Sequence, residues 1–240
     1  MIGIFKTLIS LLLWPIWFLF FIPSLFTLFL FIYIIPQQYY HFIVRPICWI
    51  YCLLAGQILT KENQPPSPEN GPYLYLFNHV SMFDQFMVGA FVPHYITAIG
   101  AEEIFKYPVW GHLIKKYGAI PIKRKRLKSA LKSLSLVEDA IKKGISFIIA
   151  PEGTRTLDGE LGVFKKGPFH IAKNTGITIV PIALIGAYEA KRKDDWKLMP
   201  GIITTRFGSP IRKEEYEDLS IEEIRDLTKS RIQKLIKGEN

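Results

Sequence analysis

The chain has 240 residues, 49% of them hydrophobic, and a formal net charge of +9. That length suits one catalytic-sized unit plus an appendage, and the apolar content argues against a wholly water-exposed protein. Two cysteines, Cys48 and Cys52, four residues apart, exclude a disulfide scaffold and offer no metal-ligand spacing.

The apolar residues are concentrated at the start. No Asp, Glu, Lys or Arg lies between Lys6 and Arg45, and residues 8–35 are almost wholly apolar. A bilayer-spanning helix needs about 20 such residues, whereas the apolar core of a signal peptide runs to about 15. Pro15 and Pro23 interrupt the run, and Pro36-Gln37-Gln38 marks a turn. A second apolar stretch, 39–59, carries His41, Arg45 and Gln57. Arg45 at mid-bilayer costs several kcal/mol, about 2.5–3.5 by insertion scales. The expectation is therefore a hydrophobic two-helix membrane anchor over 1–60, dipping into one leaflet with Arg45 near the head groups; a single span is the alternative. The cysteines fall inside it as lipid-facing or packing residues.

Residues 60–72 hold four prolines in a polar setting and read as a linker or surface loop. Beyond it, strand patterns at 73–77, 95–99, 119–122, 145–150, 178–185 and 202–207 alternate with helix patterns at 81–92, 102–117, 126–143, 164–175 and 213–236. This alternation predicts an α/β domain over 61–240, a mainly parallel or mixed sheet flanked by helices. Between Glu103 and Glu138 there are nine Lys or Arg and no acid. Such a patch suits an anionic partner, and beside an anchor that partner is membrane lipid. No aromatic interleaving or binding motif points to nucleic acid. Basic residues flanking an anchor argue that the domain over 61–240 stays on the cytoplasmic face of the membrane.

In open α/β sheets, sites gather outside the carboxyl ends of the strands. Three segments fall there: Asn78-His79, Lys123-Arg124, and Pro151-Glu152-Gly153-Thr154-Arg155. His79 can take a proton from a hydroxyl near neutrality. Asp84, five residues on, is its candidate orienter. On one ideal helix the two would lie about 140° apart. They meet only if His79 precedes the helix and Asp84 lies a turn inside it, with Ser81 as N-cap. Gly153 permits a tight turn, Arg155 offers a fork that fits phosphate, and Glu152 either holds that fork or bonds a substrate hydroxyl. Phe164-Lys165-Lys166-Gly167-Pro168 is a second basic, glycine-bearing segment.

Asn78-His79 through Asp84 resembles the first motif of the glycerolipid acyltransferases, a His and an Asp with four residues between. Gly118–Arg124 resembles the second, Pro151–Arg155 the third and Val180-Pro181-Ile182 the fourth, in order and spacing over about residues 60–210. Within the family, the lysophosphatidic acid acyltransferase branch is the nearest match. The resemblance implies His79 as general base and Asp84 as its orienter. It also implies a glycerol-phosphate site drawn from Lys123, Arg124, Glu152, Gly153, Thr154 and Arg155, with Pro181 shaping a pocket. The implied reaction is direct transfer of a fatty acyl group from an acyl-carrier-protein or coenzyme A thioester to lysophosphatidic acid. It needs no cofactor, no metal and no covalent intermediate. Two departures stand out: Pro121 replaces an aromatic, and Glu102-Glu103 lies where relatives carry lysine, so Lys106 or Lys123 would supply that phosphate contact. The apolar acyl groove is expected from 81–92 and 178–187. Rival readings are another acceptor (glycerol 3-phosphate or a different lysophospholipid), a lipid hydrolase, and a non-catalytic membrane lipid-binding protein.

Overall fold

The computed structural model describes residues 2–122 and 127–239. Seven strands form one mixed sheet among the described residues, in the order β1-β7-β6-β2-β5-β3-β4. These are β1 (Gln57–Glu62), β2 (Tyr73–Phe77), β3 (Ile96–Ala101), β4 (Ile120–Ile122), β5 (Ser146–Ile149), β6 (Thr178–Ile185) and β7 (Gly201–Phe207). Five strands, β2 to β6, run parallel, and β7 pairs with β6 antiparallel. The carboxyl ends of β2, β5 and β6 therefore open on one rim.

All five residues of β2 are buried, as a central parallel strand requires. Its side chains alternate between two cores. Tyr73, Tyr75 and Phe77 face a cluster with Cys48, Tyr51, Met87 and Val88. Leu74 and Leu76 face Val137, Phe147, Phe169 and Ile232. The first layer is built by α2 (Tyr40–Leu54) and α3 (Asp84–Phe91); the second by α5 (Leu127–Lys142), α6 (Gly167–Thr175) and α8 (Ile221–Lys237). The remaining helices are α1 (Ile2–Ile34), α4 (Trp110–Tyr117) and α7 (Ala187–Ala190).

Several expectations need correction. Pro15 and Pro23 do not break α1, which runs unbroken for 33 residues. In apolar surroundings a helix is the way to satisfy the backbone internally, and the Ser24 and Thr27 hydroxyls donate to the Phe21 and Pro23 carbonyls. Alone among the described helices, α1 is long and apolar enough to cross a membrane. The second apolar stretch instead forms the shorter α2, packed on the sheet. Arg45, expected among head groups, donates through Nε to the Ala90 carbonyl in the last turn of α3. Cys48 and Cys52 are buried packing residues. Strand β1 was missed: it straddles residue 60, so the sheet begins inside the segment read as anchor and linker.

Helix α1 is fastened along its length. Its buried positions Ser10, Trp17, Ser24 and Ile32 recur at seven- or eight-residue steps, one stripe of the helix. The Leu198 N–H donates to Ser10 Oγ at 2.8 Å, Trp14 Nε1 to the Trp196 carbonyl at 2.9 Å and Trp17 Nε1 to the Tyr51 carbonyl at 3.1 Å. Ser24 Oγ meets the Tyr51 hydroxyl, and Tyr33 the His112 ring.

Candidate active site

The chain leaves β2 at Asn78, whose side chain is nearly inaccessible. Its Oδ1 accepts the Leu184 N–H at 2.7 Å and its Nδ2 donates to the Leu184 carbonyl at 3.0 Å. This clamp ties the end of β2 to β6 and sets where the next residue points.

That residue is His79. Its Nδ1 lies 2.7 Å from Asp84 Oδ2. The same carboxylate accepts the Val80 N–H at 2.8 Å and the Ser81 N–H at 3.0 Å. Asp84 is the first residue of α3 rather than one turn inside it, and the 80–83 turn folds back to close the gap. Ser81 is not the N-cap: its hydroxyl donates to the Lys191 carbonyl at 2.9 Å. A carboxylate facing Nδ1 selects the tautomer protonated there and leaves Nε2 with its lone pair free. The His79 side chain is 28% exposed and that of Asp84 2%, so the ring reaches outward from a buried orienter. Burial pushes the Asp84 carboxyl above the ordinary carboxylate range, while the His79 ring and the Val80 and Ser81 N–H groups pull it down.

The third segment meets the first through the backbone. Glu152 Oε1 accepts the His79 N–H at 2.7 Å, and Oε2 accepts the Gly162 N–H at 2.9 Å. The Thr156 N–H donates to the His79 carbonyl at 2.9 Å. Glu152 thus holds backbone, and among the described residues no ion pair joins it to Arg155. Burial raises the Glu152 carboxyl too, against those two N–H bonds. Gly162, which the sequence reading passed over, is required: a Cβ there would lie 2.7 Å from Glu152 Oε2. Gly153 turns the loop at a φ of +74°, open to glycine at little strain. Arg155 is half-buried beside Lys191, and the Thr154 hydroxyl accepts from Lys193 Nζ at 2.9 Å. Lys123 and Arg124 lie outside the described residues; Lys106 is exposed at the end of the turn after β3.

An apolar groove of about 230 Å³ begins one residue after Asp84. Gln85, Phe86 and Gly89 of α3 line it, but 178–187 do not. The opposite walls come from α1 (Leu28), α2 (Ile47, Tyr51), β3 (Ala98) and α4 (Trp110). The sequence offered a signal for this, the seven-residue stripe of α1, which marks a helix with a protein-facing side.

The His79–Asp84 pair thus stands at the rim of an α/β sheet, and the helix that begins at Asp84 lines an apolar groove. The family model named Acyltransferase matches residues 58–185, and the chain belongs to that family. Among its relatives is the 1-acyl-sn-glycerol-3-phosphate acyltransferase of Pseudomonas aeruginosa, 30% identical over 73% of this chain and 69% of that protein. The coconut (Cocos nucifera) protein of the same name is 36% identical over 76% of this chain and 58% of its own length. For the chloroplastic BAT2 protein of Brassica napus, 37% identical, the share of its length is 43%. The chain thus spans about half of these plant relatives. The fold matches the crystal structure of the Thermotoga maritima acyltransferase PlsC with a TM-score of 0.82 at 22% identity, covering 98% of this chain and 95% of that one.

Proposed function

We propose that the protein transfers a fatty acyl group from an acyl thioester directly to the free hydroxyl of lysophosphatidic acid, giving phosphatidic acid. The observation that carries this reading is the 2.7 Å contact of His79 Nδ1 with the buried Asp84 carboxylate, which leaves Nε2 free. In the proposed step Nε2 takes the hydroxyl proton as the hydroxyl oxygen bonds to the thioester carbonyl carbon. The C–S bond then breaks, and the thiolate leaves with the proton that His79 had taken. General-base help of this kind is worth about 10²- to 10⁴-fold in rate. Asp84 holds the ring and steadies the imidazolium that forms. The groove between α1, α2, α3 and α4 takes an acyl chain, and Arg155 takes the phosphate end of the acceptor. The donor is coenzyme A or acyl-carrier protein, both acidic and both suited to a basic rim.

The anchor follows the same logic. Contacts from Ser10 to Tyr33 hold α1 against the domain, while Leu19, Ile22 and Phe26 stay exposed on its other side. This supports a monotopic arrangement: α1, with α2 behind it, lies in one leaflet and brings the groove mouth to the depth of the acceptor's chain. The catalytic domain then faces the cytoplasm.

The test is release of free thiol and formation of phosphatidic acid from an acyl thioester, with and without lysophosphatidic acid. Acceptor-dependent release is expected. Release without acceptor would mean hydrolysis, and preference for glycerol 3-phosphate or another lysophospholipid would change the acceptor. A kinetically competent acyl-protein trapped in a single turnover would overturn direct transfer.

A further inference from the structure

Behind the Glu152 loop the segment after α7 brings further cations to the site. The Lys191 carbonyl accepts the Ser81 hydroxyl at 2.9 Å, which fixes the segment two residues from His79. Lys193 Nζ lies 2.9 Å from Thr154 Oγ1 and 3.4 Å from the Arg155 carbonyl. Lys191 is only 8% exposed. Its Nζ donates to the Arg192 carbonyl at 2.6 Å, and among the described residues no carboxylate forms an ion pair with Lys191, Lys193 or Arg155. Asp194 and Asp195 are near enough only to soften the repulsion, and Asp195 Oδ1 is engaged by the Lys197 N–H. A buried ammonium beside a guanidinium, with no anion to meet it, is unfavourable unless an anion is bound there. Burial, and then Arg155, pull the Lys191 pKa below the usual lysine value.

The chemistry of that anion follows from the donors. A planar fork and two ammonium groups suit a phosphomonoester, which carries close to two charges and three acceptor oxygens. The turn after β3 is a poorer seat, since it presents Glu102 and Glu103. We infer that Lys191 and Lys193 complete, with Arg155, the seat for the acceptor's phosphate, and so decide whether a phosphate-bearing or a phosphate-free lysolipid is acylated. This rests on the acyl-transfer reading for the identity of the acceptor.

Two measurements on the full chain in detergent micelles keep the two readings apart: equilibrium binding of lysophosphatidic acid, and turnover with lysophosphatidic acid or with monoacylglycerol. For Lys191→Met and Lys193→Met the dissociation constant for lysophosphatidic acid should rise about tenfold each. The KM should rise with it, kcat should move little, and monoacylglycerol turnover should stay unchanged. Lys191→Arg should keep most of the affinity. Equal losses with both acceptors would mean a structural role and overturn the inference, as would an unchanged dissociation constant. If Lys191→Met does not fold, the exposed Lys193 carries the comparison by itself, and unchanged binding in Lys193→Met overturns the inference. A wild type that binds lysophosphatidic acid through these lysines yet transfers nothing to it would sink the acyl-transfer reading and leave only the phosphate seat standing.

Discussion

Glu152 Oε1 accepts the backbone N–H of His79 at 2.7 Å, across 73 residues of sequence. The acid that the loop motif offers for substrate is spent on placing the histidine. Its other oxygen holds Gly162, so one carboxylate joins the ends of β2 and β5 to the 156–165 loop.

Glu152→Gln should therefore weaken both fold and rate. An amide presents an NH2 to one of two N–H donors, leaving a buried donor unmet at about 1–3 kcal/mol. The pH dependence is specific. Burial raises the folded-state pKa of Glu152 above its unfolded value, so the folded chain holds more protons in the window between them. The Glu152 contribution to stability is then largest below the unfolded pKa and falls as pH rises through the folded one. Urea unfolding of wild type and variant at several pH values should show the wild-type advantage shrinking with rising pH across that window. A widening gap would contradict burial as the dominant cause.

His79→Ala should lower kcat by about 10²- to 10⁴-fold with membrane binding intact. Asp84→Asn should cost a comparable amount, because an amide can donate to Nδ1 and select the wrong tautomer. It also opposes the Val80 and Ser81 N–H groups, so the melting temperature should fall further in Asp84→Asn than in His79→Ala, which removes one of the carboxylate's three partners. Equal melting temperatures would argue against the triple role of that carboxylate.

Filling the groove should change chain preference without touching the pair. Ala98 of β3 lines it, and Ala98→Phe would occupy volume an acyl chain needs. Competition between long- and medium-chain thioesters should shift toward the shorter donor. An unchanged product distribution would place the chain elsewhere.

Leu19, Ile22 and Phe26 are 77%, 70% and 71% exposed and share one side of α1. Burying each apolar side chain is worth about 1.5–3 kcal/mol. The triple replacement by serine should lower partitioning onto phospholipid vesicles by at least about 10²-fold. Activity toward micellar acceptor should largely survive. Unchanged vesicle flotation would mean that this face does not meet lipid.

Much of the fold was legible because periodicity reports burial. Strands β2 and β6 fall where alternation and apolar runs put them, at Tyr73–Phe77 and Thr178–Ile185. Strand β1 was hidden because Gln57–Glu62 is an edge strand with a mostly exposed, polar face and sits against a proline-rich loop. The prolines of α1 misled for a different reason: two missing N–H donors do not break a helix of 33 residues that is tied to the rest of the fold at Ser10, Trp14, Trp17 and Ser24. At the site, residue types and strand ends pointed to His79, Asp84, Glu152 and Arg155. The partner each side chain takes was not readable, because Glu152 meets His79 only after β2 and β5 pair.

The amino-acid sequence by itself determined the alternation of strands and helices, the apolar start, and which residue types gather at the strand ends, since each depends on local spacing. Only the tertiary structure decided that Glu152 grips backbone, that Lys191 is buried near Ser81, and that α1 and α2 wall the groove. Those facts arise from contacts between segments far apart in the chain, whose geometry exists only once the sheet has closed and brought its strand ends to one rim.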